Sequence, residues 1–233
     1  LIDCYSKQKR RVEFAERAQE LLTEMEQSTH ATPQTINVYN SVISAWGNTE
    51  ANIAGERADA ILKHMEDLAE SGESMFRPDL IAYTARIRAW AKSGAKDAPQ
   101  RAEAALDDLE AKFQSNAKGY THAIDAWARS KLPECGERAQ AVLERMVKAH
   151  EEGRCIHTPD SVIYTALIAA WMKSGAKDRL DRCDALLRIM EDSENPDLCS
   201  RDGNYHVLIR GWNISDKPNK LEKVKELKQR WKN

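Results

Sequence analysis

At 233 residues the chain is near the size at which a single core usually splits into domains, roughly 250 residues. Ten glycines and seven prolines among many Ala, Leu, Glu, Lys and Arg residues fit helices joined by short connections, and the apolar runs are too short to span a membrane. A formal net charge of −2 weighs against strong non-specific polyanion binding but leaves room for a local basic stripe; five cysteines without a CxxC pair exclude a disulfide framework and fit free thiols in a reducing compartment.

In chain order, the opening "LIDCYSKQ" places Ile2 and Tyr5 in mid-helix, and Arg17, Ala18, Leu22 and Met25 complete a second helix behind them. Further units then open on Tyr39, Tyr83, Tyr120, Tyr164 and Tyr205. Four residues after each tyrosine stands Ile43, Ile87, Ile124, Ile168 or Ile209, and seven after it Trp46, Trp90, Trp127, Trp171 or Trp212. The spacing i, i+4, i+7 draws one apolar stripe on a helix, so the tryptophans belong in the hairpin interior and not on stacked bases. Small residues precede them (Ala45, Ala89, Ala126, Ala170, Gly211), which lets a second helix approach closely.

That second helix opens eleven residues after the tryptophan, at Arg57, Arg101, Arg138, Arg182 or Lys223, each followed by Ala58, Ala102, Ala139, Cys183 or Val224. Leu62, Leu106, Leu143 and Leu187 lie four residues beyond the small residue, and Met65, Leu109, Met146, Met190 and Trp231 seven beyond it. Lys228 replaces the leucine in the last unit, as suits a terminal face in water. From tyrosine to the Met or Leu position there are always 26 residues, whereas successive tyrosines are 44, 37, 44 and 41 apart. All the variation falls in one connection per unit, the place where a stacked array tolerates insertions. The expected fold is therefore all-α, a solenoid of stacked antiparallel helix-turn-helix units over residues 1–233. Its units are 1–35, 36–79, 80–116, 117–160, 161–201 and 202–233, the first truncated and the whole a segment of a longer array.

The segment "HEEGRCIH" holds His150, Cys155 and His157 but lacks the HExxH spacing and a fourth ligand, so a solvated loop is expected there and no metal site. Acidic side chains, as in "ERAQAVLERM", are expected on solvent faces, paired with Arg or Lys along the same helix. No Ser-His-Asp order, phosphate loop or carboxylate pair stands out. The segment is thus expected to hold no catalytic residue, metal or cofactor, and to take neither a small-molecule substrate nor a membrane as partner.

The stretches "RPDLIAYTARIRAWAKSG" and "TPDSVIYTALIAAWMKSG" resemble the pentatricopeptide repeat, and "PQTINVYNSVISAW", "AKGYTHAIDAWARS" and "RDGNYHVLIRGW" match it less fully. The units are longer than the family's, near 35 residues, and carry Trp where the family usually has an aliphatic residue. The resemblance implies a right-handed superhelix, single-stranded RNA as partner and a role in organelle RNA processing, stability or translation, in mitochondrion or plastid. In such repeats two or three side chains read one base. By resemblance the base-reading pairs are Asn40 with Asp79, Thr84 with Asn116, Thr121 with Asp160, and Thr165 with Arg201. The first three would favour U, A and G; the fourth is not a standard pair, and His206 has no evident partner.

Resemblance further implies base-sandwiching by Ile81 and Val162, a role that Asn37, Lys118 and Gly203 do not fit. It implies phosphate contact by Lys7, Lys92, Arg129 and Lys173, a series broken by Asn48 and Ile214. Both sets have plainer readings: Thr, Asn and Asp cap helix starts, and Lys or Arg near a helix C-terminus answers its dipole. Two other functions remain open, a protein-interaction scaffold akin to tetratricopeptide arrays and the RNA-binding part of a larger RNA-processing nuclease.

Overall fold

The computed structural model describes Ile2 and residues 12–27, 35–72, 77–198 and 202–232. These form an all-helical fold in which helices alternate between two roles. The first helices of the units are α2 (Ile36–Trp46), α4 (Leu80–Ser93), α6 (Ala117–Arg129), α8 (Ser161–Lys173) and α10 (Asp202–Ile214). The second helices are α1 (Val12–Gln27), α3 (Ala54–Ser71), α5 (Ala98–Lys112), α7 (Cys135–Glu151), α9 (Arg179–Asp192) and α11 (Lys220–Arg230). Each first helix packs on the second helices before and after it, and successive first helices, α2 with α4 through to α8 with α10, also touch.

Local chemistry sets the helix ends. Asp79 accepts hydrogen bonds from the backbone N–H groups of Ile81 and Ala82, and Asp160 from those of Val162 and Ile163, so each satisfies two donors that the first turn leaves free. The Ser-Gly stop has an equally specific cause. Three residues after each tryptophan a hydroxyl, from Thr49, Ser93, Ser130, Ser174 or Ser215, donates to the tryptophan's own carbonyl at 2.8 to 3.0 Å. At Trp46, Trp127, Trp171 and Trp212 the same carbonyl also accepts the backbone N–H of that Thr or Ser, so a helix-end acceptor is doubly satisfied where the chain turns. Gly94 follows at φ 70°, a left-handed geometry that glycine adopts without penalty.

The apolar stripe is core, as its spacing predicts: Ile43, Ile87, Ile124 and Ile168 are buried, and so are all five recurring tryptophans. Two of the tryptophans press directly on the backbone of the unit before. Trp90 lies on Gly55 of the preceding second helix so closely that a Cβ there would overlap the ring, and Trp171 lies on Gly136 in the same way. On the other side the arginine eleven residues later in its own hairpin covers the ring: Arg101 over Trp90 at 5.6 Å, Arg138 over Trp127 at 5.4 Å and Arg182 over Trp171 at 4.6 Å. These contacts give the Trp-to-Arg spacing a physical purpose.

The acidic residues depart from expectation. In place of pairing mainly along one helix, many link successive units. Indole nitrogens donate backwards, Trp46 to Gln19 at 2.8 Å, Trp90 to Asp59 at 3.1 Å and Trp127 to Glu103 at 3.0 Å. Tyrosine hydroxyls do likewise, Tyr39 to Glu26 at 2.7 Å, and Tyr83, Tyr120 and Tyr205 to Glu66, Glu110 and Glu191. Within "ERAQAVLERM", Arg138 reaches Glu103, and Arg145 reaches Asp107 and Glu110, all in the unit before. Burial favours this arrangement, because an indole or phenol donor removed from water needs an acceptor, and the preceding helix supplies one.

Residues 150–157 are also not simply a solvated loop. Cys155 is buried, its carbonyl lies 3.0 Å from His150 Nδ1, and Ser115 N donates to Arg154 O at 2.9 Å, docking the connection onto the previous one. Among the described residues no group of His, Cys, Asp and Glu could hold a metal ion, and no helix is long and apolar enough to cross a membrane.

Candidate functional site

The face of the first helices carries the residues that follow each tyrosine. Asn40 and Asp79 are brought together: Asn40 Nδ2 donates to both carboxylate oxygens of Asp79, at 3.1 and 3.2 Å. Asn40 is only 6% exposed and its Oδ1 is buried without a partner. Asp79 thus caps α4 and orients the buried Asn40 at once.

Thr84 and Asn116 also meet, as two walls of one concavity of ≈ 200 Å³ between α4 and α6. Thr84 Oγ1 donates to Leu80 O at 2.7 Å, and Asn116 Oδ1 accepts from Gly119 N at 3.2 Å. Ile81, 59% exposed, lines the same concavity. Thr121 donates to Ala117 O at 2.7 Å and makes no hydrogen bond to Asp160, whose carboxylate is spent on the start of α8. Thr165 donates to Ser161 O at 2.7 Å and accepts from Asn204 Nδ2 at 3.3 Å. Val162 is 44% exposed. Lys7 and Arg201 lie outside the described residues. His206 packs edge-on against Trp231, ring centres 4.4 Å apart.

The three described cations of the helix-end series differ. Lys173 donates to Ala128 O, so it answers the end of the neighbouring first helix. Arg129 is paired with Asp125 at 2.7 Å. Lys92 is partly buried, and its pKa is lowered first by burial and then by Arg88 and Arg129.

Arg88, Lys118 and His122 line the Thr84–Asn116 concavity and went unrecognised as a group in the sequence. Arg88 makes one long hydrogen bond, to Ser44 O at 3.4 Å, and its Nε is buried without a partner. Burial pushes its guanidinium below the ordinary value. His122 is pulled down to about 3 by burial and then by the charges of Arg88, Lys92 and Lys118. By contrast Arg86, two residues before Arg88 and on the other side of α4, is held by Asp59 at 2.5 Å and Asp108 at 2.6 Å. The available signal was spacing: Thr84 and Arg88, like Lys118 and His122, stand four residues apart and share a helix face. No protein-family model matches the chain, and no curated protein matches it either.

Proposed function

We propose that the chain is a pentatricopeptide-like, right-handed α-solenoid that binds single-stranded RNA along the face of its first helices and serves organelle RNA processing, stability or translation. The observation that carries this reading is the concavity between α4 and α6. There two short polar side chains, Thr84 and Asn116, stand beside the exposed Ile81 and the cations Arg88 and Lys118, with no carboxylate among the described residues that line the concavity. Such a surface offers a base edge hydrogen bonds, its ring an apolar neighbour and its phosphate positive charge. Binding to a pool of short single-stranded RNAs at several salt concentrations tests it. Selection of a short motif, with a salt slope of a few phosphates, is expected; uniformly weak binding to every RNA refutes it.

A second reading, a protein-binding scaffold, is favoured by a different surface. Val147 and Ile189, 38% and 47% exposed, line a depression with Tyr164 and Leu186. Recovery of a protein partner alongside weak RNA binding would support that reading.

A further inference from the structure

We infer that the concavity between α4 and α6 is a phosphate-group site, in which Arg88 and Lys118 hold the anion and His122 joins them as a third donor when it is protonated. Its source, an RNA phosphodiester or a free phosphate, rests on the reading above; the site itself does not.

Three cationic or potentially cationic side chains converge there, with Thr84 and Asn116 as uncharged neighbours. Lys92, next along α4, adds to the field at His122. Two carboxylates act on Lys92, Asp125 of α6, which Arg129 engages at 2.7 Å, and Glu50 from the turn after α2. Three other partly buried guanidinium groups, those of Arg86, Arg145 and Arg230, each contact two carboxylates or more, whereas Arg179, like Arg88, has a buried Nε without a partner among the described residues. Among the described residues Arg88 meets no carboxylate, and unlike Arg179 it lies beside a second cation in a concavity, a partly desolvated charge that a bound anion would compensate. A guanidinium presents a fork of donors that suits tetrahedral oxyanions, and the Lys118 ammonium adds a point charge.

Binding at this site has a built-in pH response. In the empty concavity His122 is neutral, because burial and then Arg88, Lys92 and Lys118 oppose its protonation. An anion offsets the repulsion from Arg88, Lys92 and Lys118, though not the burial that is the larger cause, and so raises the value of His122 in the complex. Proton uptake and anion binding therefore favour one another, and affinity rises as the pH falls through the bound-state value.

Sulfate is a suitable probe, being a tetrahedral dianion whose charge is constant between pH 5 and 8; the second probe is a pool of single-stranded RNA octamers. Sulfate should shift the His122 ring resonances in NMR titrations. Arg88→Gln should weaken both probes about tenfold, the scale of a lost charge-assisted hydrogen bond, while Arg88→Lys retains most of the binding. Wild-type affinity for both should increase as the pH falls towards the bound-state value of His122, which the NMR titration supplies, and His122→Gln should abolish the increase. Arg88 meets no carboxylate among the described residues, so Arg88→Lys should melt as the wild type does and Arg88→Gln, which removes an uncompensated charge, no lower. Sulfate that leaves the His122 resonances unmoved, or Arg88→Gln binding both probes like the wild type, overturns the inference even if RNA still binds. Sulfate bound at His122 with no RNA retained keeps the site, assigns it to free phosphate and removes the RNA reading.

Discussion

The indole nitrogen of Trp90 donates to Asp59 Oδ1 at 3.1 Å, so the first helix of one unit is fastened to the second helix of the unit before it. The same backward bond recurs at Trp46, Trp127 and Trp171 but fails at Trp212, whose Nε1 is buried without a partner. Asp184, the residue in the acceptor position, is held instead by Lys223 at 3.1 Å and Arg230 at 2.6 Å. Trp90→Phe should therefore cost about 1 to 3 kcal/mol and Trp212→Phe about 1 kcal/mol less. Urea unfolding of the two variants provides the comparison, and equal losses would contradict the assignment.

Gly55 is a contact surface for a ring, not a flexible joint. Gly55→Ala forces a methyl into Trp90 and should destabilise by about 1 to 3 kcal/mol, despite alanine's better helix propensity. Gly203→Ala, in a helix where nothing lies near the added carbon, should be neutral or slightly stabilising. Thermal melts of the pair decide the matter: a stable Gly55→Ala protein would mean that Trp90 is free to move.

Acid should loosen the C-terminal hairpin pair. Burial alone would raise the Asp184 pKa, but hydrogen bonds from Arg230 and Lys223 outweigh it and hold the carboxyl below its ordinary value. A folded-state value lower than the unfolded one means that its stabilisation is present above the unfolded pKa, near 4, and is lost as the pH falls through the folded value. Asp184→Asn should thus be less stable at neutral pH and show a flatter stability profile below about pH 4. A mutant whose acid limb parallels that of the wild type would remove Asp184 from the account.

Asn116→Asp separates reading from capping. Aspartate caps helices about as well as asparagine, so α6 should keep its start, and the new carboxylate beside Arg88 and Lys118 should hold the melting temperature level or raise it. If Asn116 reads a base with Thr84, selected RNA motifs should shift at one position from A towards G. Unaltered motifs would disprove that pairing.

The parts of the fold that were legible in the sequence were those written with a short period. The Tyr, Ile and Trp stripe repeats within two helical turns, and each member except Ile209 and Tyr164 is buried. The acceptors were not legible, because Asp59 and Glu103 look like ordinary surface acids until the helix carrying Trp90 or Trp127 is laid beside them. At the site, Asn40 and Asp79 stand 39 residues apart and were linked by family resemblance; their contact follows from stacking one unit on the next. Arg88 was missed for a related reason. Its isolation depends on what α2 and α6 do not place near it, and no spacing within α4 records that.

The backward bonds give the molecule a polarity in time. During synthesis the acceptor always leaves the ribosome before the donor that will need it: Gln19 before Trp46, Asp59 before Trp90, Glu103 before Trp127. Each new first helix can therefore settle at once on a finished platform, whereas a chain assembled from its other end would leave indoles waiting in water. Growth by accretion, tail onto head, is the order of folding that this wiring favours.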